Sequence, residues 1–172
     1  MGAPFTNKMT FGSEDMLADH MGDMVNRCVA EHGDKPSFSC VLPTGHSHTL
    51  SFDEIGRYSD AVAAFLREEL GLKPGDVVAI QSPNALAYPV LAFGVFKAGL
   101  VITNVNPLYT PEETNHQLKD SGAKIWFVID VFGDRIAEST KGTAVERIYK
   151  LSLVDFFPAL QRHGLGFAMR YL

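Results

Sequence analysis

The chain has 172 residues, 46% of them hydrophobic, and a formal net charge of -5, which together indicate an ordinary folded domain. The acidic balance argues against a nucleic-acid-binding protein, because such a protein needs a basic face. The sequence contains no run of about 18 apolar residues and therefore predicts no membrane-spanning helix.

The N-terminal residues 1–12 are polar and mixed in composition, and we expect a flexible arm there rather than a secretory signal. We expect residues 13–172 to form one α/β unit. The two cysteines, Cys28 and Cys40, are too few for a disulfide framework. They fit the reducing cytoplasm, where free cysteines are commonly buried among apolar residues.

The first predicted elements are a helix and a hairpin. Ser13 is a suitable N-cap, and apolar residues continue at helical spacing until Gly33, which should end the helix. Two short runs, residues 37–42 and 48–51, flank a Pro-Thr-Gly turn and predict a β-hairpin.

Two histidines, His46 and His48, are expected at the tip of this hairpin. A pair of histidines at this spacing could bind a metal ion, but no third ligand is near them in sequence. The pattern therefore favours a solvated turn over a metal site.

The hairpin leads into a second helix. Ser51 and Glu54 have the spacing of a capping box, and the helix should continue to about Leu70 and end at Gly71. Its apolar residues recur at helical spacing, which predicts that one face packs against a core.

Three β-branched runs, residues 77–80, 101–105 and 125–129, then alternate with helical segments that end at glycine. This alternation is typical of parallel βαβ units with right-handed crossovers. The predicted fold class is therefore α/β: a parallel, Rossmann-like sheet with helices on both faces, plus the small N-terminal β-hairpin. Residues 145–151 are a candidate fourth strand.

The helices between these strands have recognisable starts. Asn84 is a candidate N-cap for residues 85–98, which are apolar almost all round and should be buried between layers. Thr110, Pro111 and Glu113 match a capping box with proline at the first helical position.

A further helix is predicted after Pro158, and its apolar pattern is still running at Leu172. We therefore expect the chain to be one part of a longer protein.

Catalytic motifs are missing from the sequence. It contains no P-loop pattern, no G-x-G-x-x-G fingerprint and no G-x-S-x-G elbow. The residues by themselves therefore predict a parallel α/β domain without a self-contained active site. The place to look for a ligand is the loop after residue 105, because open parallel sheets bind ligands at the carboxyl ends of their strands.

The central stretch resembles the N-terminal part of the AMP-forming acyl-CoA ligases of the adenylate-forming superfamily. The most specific segments are residues 104–113 (NVNPLYTPEE) and 116–123 (HQLKDSGA), which look like the bacterial long-chain fatty acid branch. Three shorter segments also match: residues 50–55, 75–79 and 96–99. The resemblance covers residues 16–131 and implies a truncated N-terminal subdomain of the adenylate-forming fold.

This resemblance implies an enzyme that activates a fatty acid with ATP and Mg²⁺ to an acyl-adenylate and then transfers the acyl group to CoA. The phosphate loop, the adenine-binding motifs and the catalytic lid of such ligases belong to sequence that this chain lacks. We therefore expect no catalytic residue, no metal ligand and no bound cofactor in this chain, and no activity from it alone.

The resemblance also implies a candidate CoA-channel loop, formed by Pro107, Leu108 and Tyr109. The alternative is purely structural: Asn106 and Pro107 would fix a turn, and Tyr109 would fill the core beneath it. His116 is expected on the helix surface and not as a catalytic base.

Two alternative functions remain open at this point. One is an aryl-CoA ligase of the coumarate type, and the other is a standalone interaction module that binds a partner chain through its apolar helix. For the ligase we expect a fatty acid substrate, a cytoplasmic location with at most peripheral contact at the inner membrane face, no nucleic-acid partner, and possible homodimers.

Overall fold

The computed structural model describes residues 20–130 and 136–159. The flexible arm expected at residues 1–12 and nearly all of the helix expected after Pro158 lie outside these residues. In chain order the elements are α1 (Met21–His32), β1 (Pro36–Val41), β2 (Ser47–Ser51), α2 (Phe52–Ala64) with a π-helical extension (Phe65–Glu69), β3 (Val77–Gln81), α3 (Ala87–Lys97), β4 (Val101–Asn104), α4 (Pro111–Ser121), β5 (Ile125–Ile129), α5 (Ile136–Ser139) and β6 (Arg147–Leu151).

The main sheet has the order β4-β3-β5-β6, and every neighbouring pair is parallel. Val78 of β3 pairs with Ile102 on one side and with Ile125 on the other, so β3 is an inner strand. The chain runs from β3 to the edge strand β4 and then crosses back past β3 to β5. The predicted parallel sheet is confirmed, and the fourth strand exists but begins at Arg147.

Helices cover both faces of this sheet, as the sequence predicts. Val78 and Ile80 point to a core that includes Leu91 and Val95 of α3 and Leu66 of the π-helical extension. The intervening strand positions face the other way. They share a second core with α4 whose buried members are Ala79, Val105, Leu118, Ala123, Trp126 and Val128.

The hairpin lies beside the amino end of α3. β1 and β2 pair antiparallel, and their buried side chains form a third core with α2 and α3. The predicted hairpin is confirmed, but one detail is wrong: His48 pairs with Cys40 inside the ladder and is not at the tip. The alternation of the strand places its ring 5.8 Å from that of Phe157.

Both cysteines are free thiols. Cys40 is buried in the hairpin core, and this burial raises the pKa of its thiol. The expectation of a buried, unpaired cysteine is therefore confirmed at Cys40, whereas Cys28 is half-buried.

The start of α1 differs from the prediction. The helix begins at Met21, and its N-cap is His20, whose Nδ1 accepts a hydrogen bond from the Asp23 amide at 3.1 Å. His20 has an extended backbone (φ -156°), which interrupts any helix arriving from Ser13. Ser13 itself lies outside the described residues, and the predicted end at Gly33 is confirmed.

Asn84 is not the N-cap of α3, contrary to the prediction. The helix starts at Ala87 after Leu86, which has a helical backbone and caps with no side-chain hydrogen bond. The Tyr88 amide donates to the Ala85 carbonyl at 3.1 Å, which closes a turn that overlaps the start of the helix, and Leu86 is almost fully buried. Burial of Leu86 therefore fixes the start of the helix, and Asn84 comes too early in the chain.

The two predicted capping boxes are confirmed. Ser51 caps α2 with Glu54, and Thr110 caps α4 with Glu113, each with reciprocal side-chain and backbone hydrogen bonds. α4 ends at Gly122, whose left-handed backbone (φ 63°) suits glycine. Among the described helices, none combines the length and the hydropathy that crossing a bilayer requires.

Candidate functional site at the carboxyl edge of the sheet

The loop that follows β4 lies at the carboxyl edge of the sheet. β4 ends at Asn104, and the loop reaches α4 at Thr110. Its first residue, Val105, is buried and still donates its amide to the Ile80 carbonyl at 3.0 Å. The loop therefore leaves the sheet directly beside the end of β3, where parallel sheets bind their ligands.

Asn106 organises the turn in this loop. Its carbonyl accepts the Tyr109 amide at 3.1 Å, and its side-chain Oδ1 accepts the Leu108 amide at 2.9 Å. An asparagine side chain that accepts a backbone amide two residues on is an Asx turn. The expectation that Asn106 and Pro107 fix a turn agrees with this geometry.

The three candidate CoA-loop residues separate into different environments. Leu108 is 85% exposed, with its side chain at the tip of the turn. Pro107 is half-buried, and Tyr109 packs against the core between the sheet and α4. The structural interpretation therefore fits Tyr109, whereas Leu108 is free to contact a ligand.

The carboxyl side of the loop is anchored by the capping box of α4. The Thr110 amide donates to Glu113 Oε2 at 2.8 Å, and the Thr110 hydroxyl donates to the same oxygen at 2.9 Å. These two hydrogen bonds hold the pKa of the Glu113 carboxyl below its usual range. Both ends of the loop are thus attached to regular structure.

A buried amide that the sequence patterns did not indicate lies beneath the loop. Gln81, the last residue of β3, is 3% exposed, and its Nε2 donates to the Asn106 carbonyl at 3.0 Å. The same nitrogen is 3.5 Å from the hydroxyl of Thr114 in α4. The available signal was a glutamine at the end of an otherwise apolar strand, because such an amide needs a partner when it is buried.

An open groove of about 500 Å³ lies beside the loop, along α4. It is lined by Tyr109, Glu112, Glu113, His116, Gln117 and Asp120. His116 is exposed, as predicted, and shares the groove with three carboxylates. The negative charge of these carboxylates disfavours the binding of phosphate groups in the groove.

The groove beside the candidate loop does not suit the phosphates of ATP. In residues 20–130 and 136–159, no three His, Cys, Asp or Glu side chains come together in a way that could hold a metal ion. The groove next to the candidate loop carries carboxylates where a nucleotide would bring phosphates. We therefore assign no step that involves the nucleotide or the metal to the residues of this groove.

The chain is similar in sequence to AMP-binding enzymes and to CoA ligases. A sequence profile of the family described as AMP-binding enzyme matches residues 25–165. A long-chain-fatty-acid–CoA ligase of Escherichia coli O6:H1 is 36% identical over 150 residues, which is 87% of this chain and 26% of that protein. A 4-coumarate–CoA ligase-like protein of Arabidopsis thaliana is 35% identical over 110 residues, or 64% of this chain and 20% of that protein.

The fold is also found in solved structures. The anthranilate CoA ligase AuaEII superposes with a TM-score of 0.71 at 21% identity, covering 85% of this chain and 28% of that one. At this identity the superposition establishes the fold alone. The chain spans about a quarter of the length of the curated long-chain ligases that it matches.

Proposed function

Because this chain belongs to the family of AMP-binding enzymes, we propose that it is the N-terminal part of a long-chain fatty acid–CoA ligase. The observation that carries the proposal is its 36% identity to the E. coli ligase over 87% of the chain. The matched part is 26% of that ligase, so we propose the activity for a longer protein that includes this chain.

The proposed overall reaction joins a fatty acid to CoA at the expense of ATP, with Mg²⁺, and yields acyl-CoA, AMP and pyrophosphate. In the second half of this reaction the CoA sulfur bonds to the acyl carbon, the bond from that carbon to the AMP oxygen breaks, and the thiol loses its proton. The sequence contains no P-loop pattern and the groove beside the loop carries carboxylates, so we expect the 172-residue chain to be inactive by itself.

The contribution of this chain to the site is the turn at Asn106–Tyr109. Leu108 presents an exposed apolar side chain there, and we assign Pro107, Leu108 and Tyr109 to contacts with the pantetheine arm of CoA. That arm is uncharged, so it tolerates the carboxylates of the neighbouring groove better than the nucleotide end of CoA does.

The aryl-CoA alternative has less support. The coumarate-type relative matches 64% of the chain, against 87% for the long-chain ligase. For the longer protein we further propose a fatty acid substrate, a cytoplasmic location with at most peripheral contact at the inner face of the membrane, and a possible homodimer.

The test is an assay of pyrophosphate release with palmitate, ATP and Mg²⁺. It compares the 172-residue chain with the longer protein encoded in the same reading frame, and p-coumarate replaces palmitate in a parallel series. We expect release with palmitate from the longer protein alone. Preference for p-coumarate would support the aryl alternative. Pyrophosphate release by the short chain would show that the chain does contain a phosphate clamp. If the longer protein releases no pyrophosphate with either acid, the result would favour a standalone interaction module.

A further inference from the structure

Gln81 connects the middle of the sheet to the candidate CoA loop. It is the last residue of β3, an inner strand, and it pairs in register with Val128 of β5. Its side chain follows the alternation of Ala79 and therefore lies on the α4 face of the sheet, where Thr114 is also buried. The Gln81 amide thus contacts the loop from its buried side.

The hydrogen bond from Gln81 to Asn106 is the stronger of its two contacts. The distance to the Asn106 carbonyl is 3.0 Å, whereas the distance to the Thr114 hydroxyl, 3.5 Å, is at the limit for a hydrogen bond. A buried amide without a partner is costly, so Gln81 favours loop conformations in which the Asn106 carbonyl stays within reach.

The Asn106 carbonyl is shared by two donors. It accepts the Tyr109 amide, which closes the turn, and the Gln81 amide, which ties the turn to β3. The turn residue Leu108 is 85% exposed, so packing of its side chain does not hold the tip in place. The hydrogen bonds at Asn106, together with the packing of Tyr109, therefore orient the tip.

We propose that Gln81 is a positioning residue that fixes the turn Asn106–Tyr109 from the end of β3 and thereby sets how tightly the loop holds CoA. The part of this inference that concerns CoA rests on the proposed function. Gln81 itself does not contact the substrate; it acts through the backbone of Asn106. Its loss should change the thiol-transfer half of the reaction and leave adenylate formation intact.

The first experiment measures amide proton exchange by NMR in the 172-residue chain. Gln81→Met keeps the length of the side chain and removes the donor, and Gln81→Asn keeps an amide that is too short to reach. Asn115→Leu is the matched control, because its amide donates to the Ser139 and Lys141 carbonyls, both at 2.9 Å, away from the loop.

Both Gln81 variants should speed exchange at the Leu108 and Tyr109 amides about tenfold, a loss of protection that corresponds to about 1.4 kcal/mol. The control should leave these two amides as they are. Unchanged exchange in Gln81→Met, or in Gln81→Asn if the first variant does not fold, would overturn the positioning role.

The second experiment measures the two half-reactions of the longer protein. In Gln81→Met the KM for CoA should rise about fivefold, while pyrophosphate formation stays within twofold of the wild type. An equal fall in both half-reactions would overturn a specific role at the CoA loop. If the wild-type protein makes no acyl-CoA while Gln81→Met still loosens the turn, the proposed function fails and the positioning of the turn stands.

Discussion

Gly94 of α3 lies directly against the side chain of Val62 in α2, and a β-carbon on Gly94 would overlap that side chain. The same β-carbon would be 3.0 Å from the backbone carbonyl oxygen of Ser59. The two helices therefore meet at a residue without a side chain. This contact holds α2 against α3 on one face of the sheet.

Gly94→Ala should reduce the free energy of unfolding by roughly 1–3 kcal/mol, because it overpacks this contact. Equilibrium unfolding in urea measures the change. Val62→Ala makes room for the new methyl group, so the double variant should lose less stability than the sum of the two single variants. Strict additivity would show that the helices simply move apart.

Because of the ion pair between Asp76 and Lys124, the free energy of unfolding should depend on pH in the acid range. The Lys124 ammonium, 2.7 Å away, and the Lys73 amide hold the pKa of the Asp76 carboxyl below its usual range. The unfolded carboxyl has a pKa of about 3.9, so this stabilisation is complete above about pH 4 and disappears as pH falls through the lower pKa of the folded state.

Asp76→Asn should therefore be less stable than the wild type at pH 7, and the difference should shrink below about pH 4. Urea midpoints measured across this range test the prediction. Asp120→Asn removes an exposed carboxylate from α4 and serves as the control. A difference between wild type and Asp76→Asn that persists at low pH would contradict the role of the ion pair.

The cap of α4 should contribute to both stability and titration. Thr110→Ala should cost about 1 kcal/mol of unfolding free energy, the usual loss for an N-cap hydroxyl. It should also raise the pKa of the Glu113 carboxyl, which NMR titration can follow, because the Thr110 hydroxyl no longer donates to it. Thr110→Ser keeps the hydroxyl and should change neither quantity.

Replacing Leu108 should raise the KM for CoA without changing the stability of the fold. Leu108→Ser should change stability by less than about 0.5 kcal/mol, because the side chain is 85% exposed. In the longer protein it should raise the KM for CoA about tenfold, since burying a leucine contributes roughly 1.5–3 kcal/mol. Val41→Ser replaces another exposed apolar side chain and should leave the KM unchanged. Equal effects of both substitutions would argue against the loop assignment.

The elements that could be predicted from sequence are those that local chemistry defines. Ser51 with Glu54, and Thr110 with Glu113, satisfy the amides at a helix start within four residues, so spacing alone identifies them. The β-branched runs of β3, β4 and β5 predicted parallel strands correctly for a similar reason. The inner strands β3 and β5 are almost fully buried and mostly apolar on both faces, whereas the edge strand β4 is partly exposed.

The features that could not be predicted depend on distant contacts. Asn84 has the chemistry of a cap, but burial of Leu86 fixes the start of α3 elsewhere. At the candidate site, the sequence identified the loop and its turn. It did not identify the partner of Gln81, because residues 81 and 106 meet only after β3 and β4 have paired. The spacing of these residues in the sequence does not indicate the contact between them.

The position of β3 inside the sheet has a consequence for the order of events during synthesis. Its first partner, β4, follows after one helix, but its second partner, β5, leaves the ribosome only after α3, β4 and α4 have been made. At about 5–20 residues per second, one edge of β3 stays unpaired for seconds. An apolar strand with an open edge invites pairing with other chains during that time. The nascent protein is therefore most vulnerable to aggregation before β5 appears.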